Sequence, residues 1–146
     1  CHREYTFVDL GSGKGRAMLL ASYFPYRKII GVELSQILHA IACRNIQIFR
    51  AEWQKCSDIS SICENAVAFN RPADNVVLYL FNPFDEHVLQ KVILKWEESL
   101  QRTPRRMYIV YVKPVYRRIL DSSRHFTLLK MMGNNAIYQT VSELPA

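Results

Sequence analysis

The period of the apolar positions changes repeatedly along the chain, from short near-continuous runs to recurrences every third or fourth residue. A continuous run fits a strand covered on both faces, and the longer recurrence fits an amphipathic helix. Phe7-Val8-Asp9-Leu10 is the first run, and Ala17, Met18, Leu20, Ala21 and Phe24 begin a helical pattern straight after it. Lys28 to Glu33 predicts a second buried strand that ends on a carboxylate. Ser35 is suited to cap the next helix, along which Ile37, Leu38, Ile41, Ala42, Ile48, Phe49 and Trp53 keep an apolar stripe to about residue 53. Trp53 is expected in the core. Ile59 to Cys63 predicts a short third strand, with Glu64-Asn65-Ala66 at its end and a brief helical turn before Asn70-Arg71-Pro72.

Val76 to Phe81 is apolar almost throughout, as a central parallel strand should be, and Asn82-Pro83-Phe84 breaks it. Asp85 then caps a helix carrying Val88, Leu89, Val92, Ile93, Trp96 and Leu100 at helical spacing, which Thr103-Pro104 ends. Met107 to Val112 is the next strand, and Pro114 opens a short helix through Tyr116, Ile119 and Leu120. Phe126 to Met131 and Ala136 to Val141 flank Gly133-Asn134-Asn135. So short a connection admits only an antiparallel hairpin, because a parallel pair needs a crossover of a dozen or more residues. The expected fold class is therefore α/β: an open, doubly wound, mostly parallel sheet with helices on both faces and a C-terminal antiparallel hairpin.

The 146 residues, 49% hydrophobic and 22% charged, suit one globular core domain spanning the whole chain. Because the first residue is Cys1 and a core strand follows within a few positions, the chain is expected to be an excerpt lacking N-terminal elements. No apolar run approaches the roughly 20 residues of a membrane helix and no signal segment opens the chain, so a cytoplasmic location with no membrane partner is expected. Cys1, Cys43, Cys56 and Cys63 form no C-x-x-C pair and match no histidine spacing, so reduced thiols and no metal are expected.

The net charge of +6 lies entirely in the last third: residues 1–100 hold eleven Lys/Arg against eleven Asp/Glu, and residues 101–146 hold eight against two. Arg102, Arg105, Arg106, Lys113, Arg117, Arg118, Arg124 and Lys130 make nucleic acid a candidate partner, with a solvated basic face as the alternative.

Between the first strand and the first helix lies Asp9-Leu10-Gly11-Ser12-Gly13-Lys14-Gly15. Glycines at every second position permit left-handed backbone and close approach of another molecule, and the helix that follows is expected to aim free N–H groups into the same space. The pattern is G-x-G-x-G, in contrast to the dinucleotide fingerprint G-x-G-x-x-G. With Gly31-Val32-Glu33-Leu34-Ser35 and the closing hairpin, it resembles the class I S-adenosylmethionine-dependent methyltransferases over nearly the whole chain, Thr6 to Val141, and implies their Rossmann-like fold. The resemblance implies S-adenosylmethionine as cofactor, with Asp9, Gly11, Ser12, Gly13 and Gly15 around its methionine end. Glu33, followed by Leu34, would receive the ribose hydroxyls, and Asn65 would stand near the adenine amino group, where this family often has an acid.

Asn82-Pro83-Phe84 looks like a shortened form of the N-P-P-Y type motif of methyltransferases acting on planar amino groups, and gives the candidate catalytic residues. Asp85, His87 and Lys113 stand near strand ends as candidate bases, each with a structural alternative. The functional expectation is methyl transfer to an acceptor the sequence leaves open: protein, nucleic acid or small molecule. A non-catalytic module of the same fold is the alternative, and a nicotinamide-dependent oxidoreductase is disfavoured by the glycine spacing and the hairpin.

Overall fold

A computed structural model describes residues 1–141. It divides into two compact units, Cys1–Phe69 and the residues from Asn70 onward. In the first, β1 (Tyr5–Leu10), β2 (Lys28–Glu33) and β3 (Ile59–Cys63) form a parallel ladder in the order β3-β2-β1. All six residues of β1 are buried, as the mostly apolar run demands, and Val8 and Leu10 are fully inaccessible. Helices α1 (Arg16–Ala21) and α2 (Gln36–Ile48) are the crossovers. Ser35 caps α2 as expected, its Oγ accepting from Leu38 N at 3.3 Å.

In the second unit the order is β4-β5-β7-β6, with β4 (Asn75–Phe81) and β5 (Met107–Val112) parallel and β6 (Phe126–Met132) and β7 (Asn135–Thr140) an antiparallel hairpin. The register aligns buried residues across the ladder: Val76 with Met107, Leu78 with Ile109, Leu80 with Tyr111, and Tyr111 in turn with Ala136. Helix α3 (Glu86–Arg102), capped by Asp85 Oδ1 on Val88 N, buries Leu89, Val92, Ile93, Trp96 and Leu100 along one stripe. Trp96 is fully buried, with the guanidinium groups of Arg71 and Arg105 within 6 Å of its ring. Tyr138, also inaccessible, donates to Asp121 Oδ1 at 2.6 Å; Asp121 is held by Arg117, which ties α4 (Arg118–Asp121) to the hairpin. The fold class is the expected α/β one, with parallel strands in both units and a C-terminal antiparallel hairpin.

Three expectations change. Helix α2 stops at Ile48, five residues early, and Trp53 lies at the surface, packed edge-on against Phe49 and tilted against Tyr23. Ile37 and Ile48 are more than two-thirds exposed, so the stripe covers less core than its period implied; Ala42 is the one fully buried α2 residue. The first helix ends at Ala21 because the chain turns through Ser22 to Phe24 by successive short-range backbone bonds.

Candidate functional site

Gly11, Gly13 and Gly15 all have positive φ, at 77°, 54° and 86°. Two of them show why glycine is required. Gly15 is the left-handed N-cap of α1, and a Cβ added there would lie 3.5 Å from Ala42 Cβ, an ordinary contact, so it is the positive φ that favours glycine. At Gly13 an added Cβ would meet nothing within 4 Å, which leaves open space over the loop. Asn45 fixes the loop from α2, its Nδ2 donating to Lys14 O at 2.9 Å. On β2, a Cβ at Gly31 would run into Met18 Sδ and into Ser12. Only glycine there lets the loop and α1 lie flat on the strand, a close-packing role the motif alone did not reveal.

Four N–H groups of the loop are committed within the protein. Gly11 N and Ser12 N both donate to Val32 O, Gly15 N donates to Ser12 O, and Gly13 N donates to Glu33 Oε2 at 2.8 Å. The second Glu33 oxygen accepts from Ser35 N at 2.9 Å. Glu33 thus ties the end of β2 to the glycine loop and to the cap of α2, and each of its oxygens keeps a lone pair for a further donor.

Asp9, at 3% exposure, lies in β1 opposite Gly31. Burial first, and then the Glu33 charge, push its carboxyl up to about 7. Two carboxyl groups beside the loop, one of them already on the Gly13 N–H, make this site rich in acceptors. It suits ammonium and hydroxyl donors and disfavours a pyrophosphate, whose charge the carboxylates repel.

The remaining expected cofactor residues differ in their roles. Ser12 Oγ is buried without a hydrogen-bond partner and packs toward Gly31, so what Ser12 presents to the loop is backbone. Leu34, 70% exposed, is a bare apolar side chain directly after Glu33. Asn65 is exposed, but its Oδ1 already accepts from Val67 N at 2.9 Å, leaving its amide N–H groups for a ligand.

In the second unit, Asn82 is exposed and Pro83 and Phe84 are half-buried at the carboxyl end of β4. Asn82 has φ 41°, a left-handed backbone in a non-glycine residue. Asp85 is spent as the α3 cap.

Three of the eight basic residues of the last third are engaged. Arg105 donates to Ser99 O, Ser99 Oγ and Thr103 O, Arg117 pairs with Asp121, and Arg118 with Glu86. Arg105 and Arg106 precede β5 while Lys113 follows it, so the eight cations form no single stripe. Among the described residues, no group of three or more His, Cys, Asp or Glu is placed to hold a metal, and no helix is long and apolar enough to cross a membrane.

No protein family and no curated protein matches the sequence. Solved structures do match. A SAM-dependent methyltransferase from Methanosarcina mazei aligns with TM-score 0.66 at 13% identity, over 94% of this chain and 93% of that one. Magnesium protoporphyrin IX methyltransferase from Synechocystis PCC 6803, with bound SAM, aligns with TM-score 0.62 at 13% identity, over 94% and 69%. An rRNA methylase from Streptococcus thermophilus aligns with TM-score 0.55 at 12% identity, over 93% and 85%. The alternating strands and helices, the glycine loop after β1 and the closing hairpin are thus those of the class I S-adenosylmethionine-dependent methyltransferase fold.

Proposed function

We propose that this chain is an S-adenosylmethionine-dependent methyltransferase. The observation that carries the reading is Glu33, whose carboxylate occupies the Gly13 N–H beside buried Asp9 and fills the loop with acceptors. S-adenosylmethionine matches such a set: an ammonium for Asp9, neighbouring ribose hydroxyls for Glu33, and a flat base for the apolar side chain of Leu34. The open space over Gly13 admits a ligand against the backbone. Gly11 and Gly15 shape that loop, Ser12 supports it from below, and Asn65 offers its amide donors.

Bound there, the cofactor supplies a methyl group already activated on a sulfonium. What is asked of the chain is position and exclusion of water. Asn82 and the carbonyls that Pro83 fixes are the proposed acceptors for the N–H or O–H groups of the methyl acceptor, with Phe84 as an apolar wall. A nucleic-acid, protein or small-molecule acceptor fits this reading, and the rRNA methylase among the structural matches favours testing RNA first.

Glu33→Ala tests the cofactor half. It removes two charge-assisted interactions of roughly 1.5–3 kcal/mol each before water compensates, and it frees Gly13 N and Ser35 N. Calorimetry should show S-adenosylmethionine binding at least tenfold weaker, with Glu33→Gln in between. Equal affinity in parent and Glu33→Ala would remove Glu33 from the site.

A further inference from the structure

We propose that Lys113 and Phe81 form a docking pair for the methyl acceptor, selecting a flat ring that carries an anionic group, the chemistry of a nucleotide. This rests on the methyl-transfer reading and adds to it a class of acceptor. It starts from backbone strain. Among the described residues only two non-glycine residues have positive φ, Asn82 at 41° and Lys113 at 50°. Each directly follows a parallel strand and directly precedes a proline, which restricts it further.

They are also neighbours in the sheet, because Phe81 and Val112 are the last register pair of β4 and β5. Asparagine visits the left-handed region readily and lysine does not, so a lysine kept there points to a use for its side chain. The backbone is held from outside: Lys113 N donates to Asn135 Oδ1 at 3.4 Å, and Lys113 O accepts from Val115 N at 2.8 Å.

The Lys113 ammonium lies 5.3 Å from the centroid of the Phe81 ring, which is 52% exposed. Arg117, Arg118 and Lys95 each face a carboxylate, whereas among the described residues none pairs with Lys113. An exposed aromatic ring and an ammonium without a carboxylate partner therefore meet, with Asn82 next in the chain, at the carboxyl edge of two parallel strands, where open α/β sheets bind ligands. A ring can stack on Phe81 as Lys113 swings onto its anion, and Asn82 meets the ring's polar edge. A neutral acceptor would have no use for the cation.

The test is amide-resolved NMR titration of the chain, saturated with S-adenosyl-homocysteine, with the four ribonucleoside 5′-monophosphates, their nucleosides and a short single-stranded oligoribonucleotide. At least one monophosphate should shift Phe81, Asn82 and Lys113 and bind on the order of tenfold more tightly than its nucleoside; Lys113→Gln should abolish that preference. A further tenfold gain for the oligonucleotide identifies a polymer as the source of the nucleotide, and no gain identifies the free nucleotide. Lys113→Gly, which relieves the strain, should raise the melting temperature by about 2–4 °C and lose the same preference. Equal binding of every nucleotide and nucleoside, or shifts confined to other residues, overturns the proposal. Calorimetry with S-adenosylmethionine on the same sample separates the failures: cofactor binding without nucleotide binding defeats the docking pair alone, whereas no cofactor binding defeats the methyl-transfer reading.

Discussion

Asn82→Ala is expected to slow methyl transfer by on the order of a hundredfold while leaving S-adenosylmethionine affinity within a few-fold, the scale of loss for a mispositioned reactant. The residue is exposed at the carboxyl end of β4, between Phe81 and Pro83, and its left-handed backbone gives it no ordinary strand role. Alanine adds a complication at φ 41°, because its Cβ is strained there, at a cost of about 1 kcal/mol. Asn82→Gly removes the amide and keeps the backbone at ease. If the amide holds the acceptor, both variants lose turnover alike, and only alanine lowers the melting temperature. If Asn82 merely ends the strand, glycine retains full activity. Turnover, cofactor binding and melting, measured on both variants once an acceptor is found, separate the two roles.

Asp9→Asn is expected to stabilise the ligand-free protein at alkaline pH. Folding buries this carboxyl and raises it from 3.8 to about 7, so the folded state binds its proton more tightly than the unfolded state. Its contribution to stability is therefore fully present below pH 4 and is lost as pH rises through about 7. Three pKa units correspond to about 4 kcal/mol at pH 8, since each unit is about 1.4 kcal/mol. Asparagine has nearly the same shape and no charge to bury. Its melting temperature should exceed the parent's by roughly 8–16 °C at pH 8, with the difference closing near pH 4.

Cofactor binding should respond in the opposite sense. An ammonium favours the charged carboxylate, so the parent's affinity for S-adenosylmethionine should rise as pH rises through about 7, while Asp9→Asn binds more weakly and loses that rise. A parent-minus-variant stability difference that does not change from pH 4 to pH 8 would mean that Asp9 is not held protonated.

Strands were easiest to read from the sequence because their apolar runs stop at residues that cannot continue them. Val76 to Phe81 ends at Asn82-Pro83, Met107 to Val112 at Lys113-Pro114, and the hairpin turns at Gly133. Helix α2 was overextended because a periodic apolar stripe records which side chains would be buried, not what covers them. Ile37 and Ile48 keep the period and stand in solvent.

Within the candidate site, the glycine loop and the strand-end Glu33 were legible because backbone conformation and an acid at the end of a buried strand leave local traces. The bond from Gly13 N to Glu33 joins residues twenty apart in sequence, and only packing of β1 on β2 creates it. Gly31 gave no signal, since a glycine inside a strand does not say which neighbour approaches it. Lys113 left one: two neighbouring strands both end in a residue followed by proline, a repetition that marks the strained pair.

The measurement that bears most directly on the central claim is a side-by-side calorimetric titration of the chain with S-adenosylmethionine and with NAD at pH 8. The acceptor-filled loop predicts saturable one-to-one binding of S-adenosylmethionine and none of NAD, because Glu33 holds the Gly13 N–H and, with Asp9, repels a pyrophosphate. Saturable NAD binding with no S-adenosylmethionine binding would contradict the account.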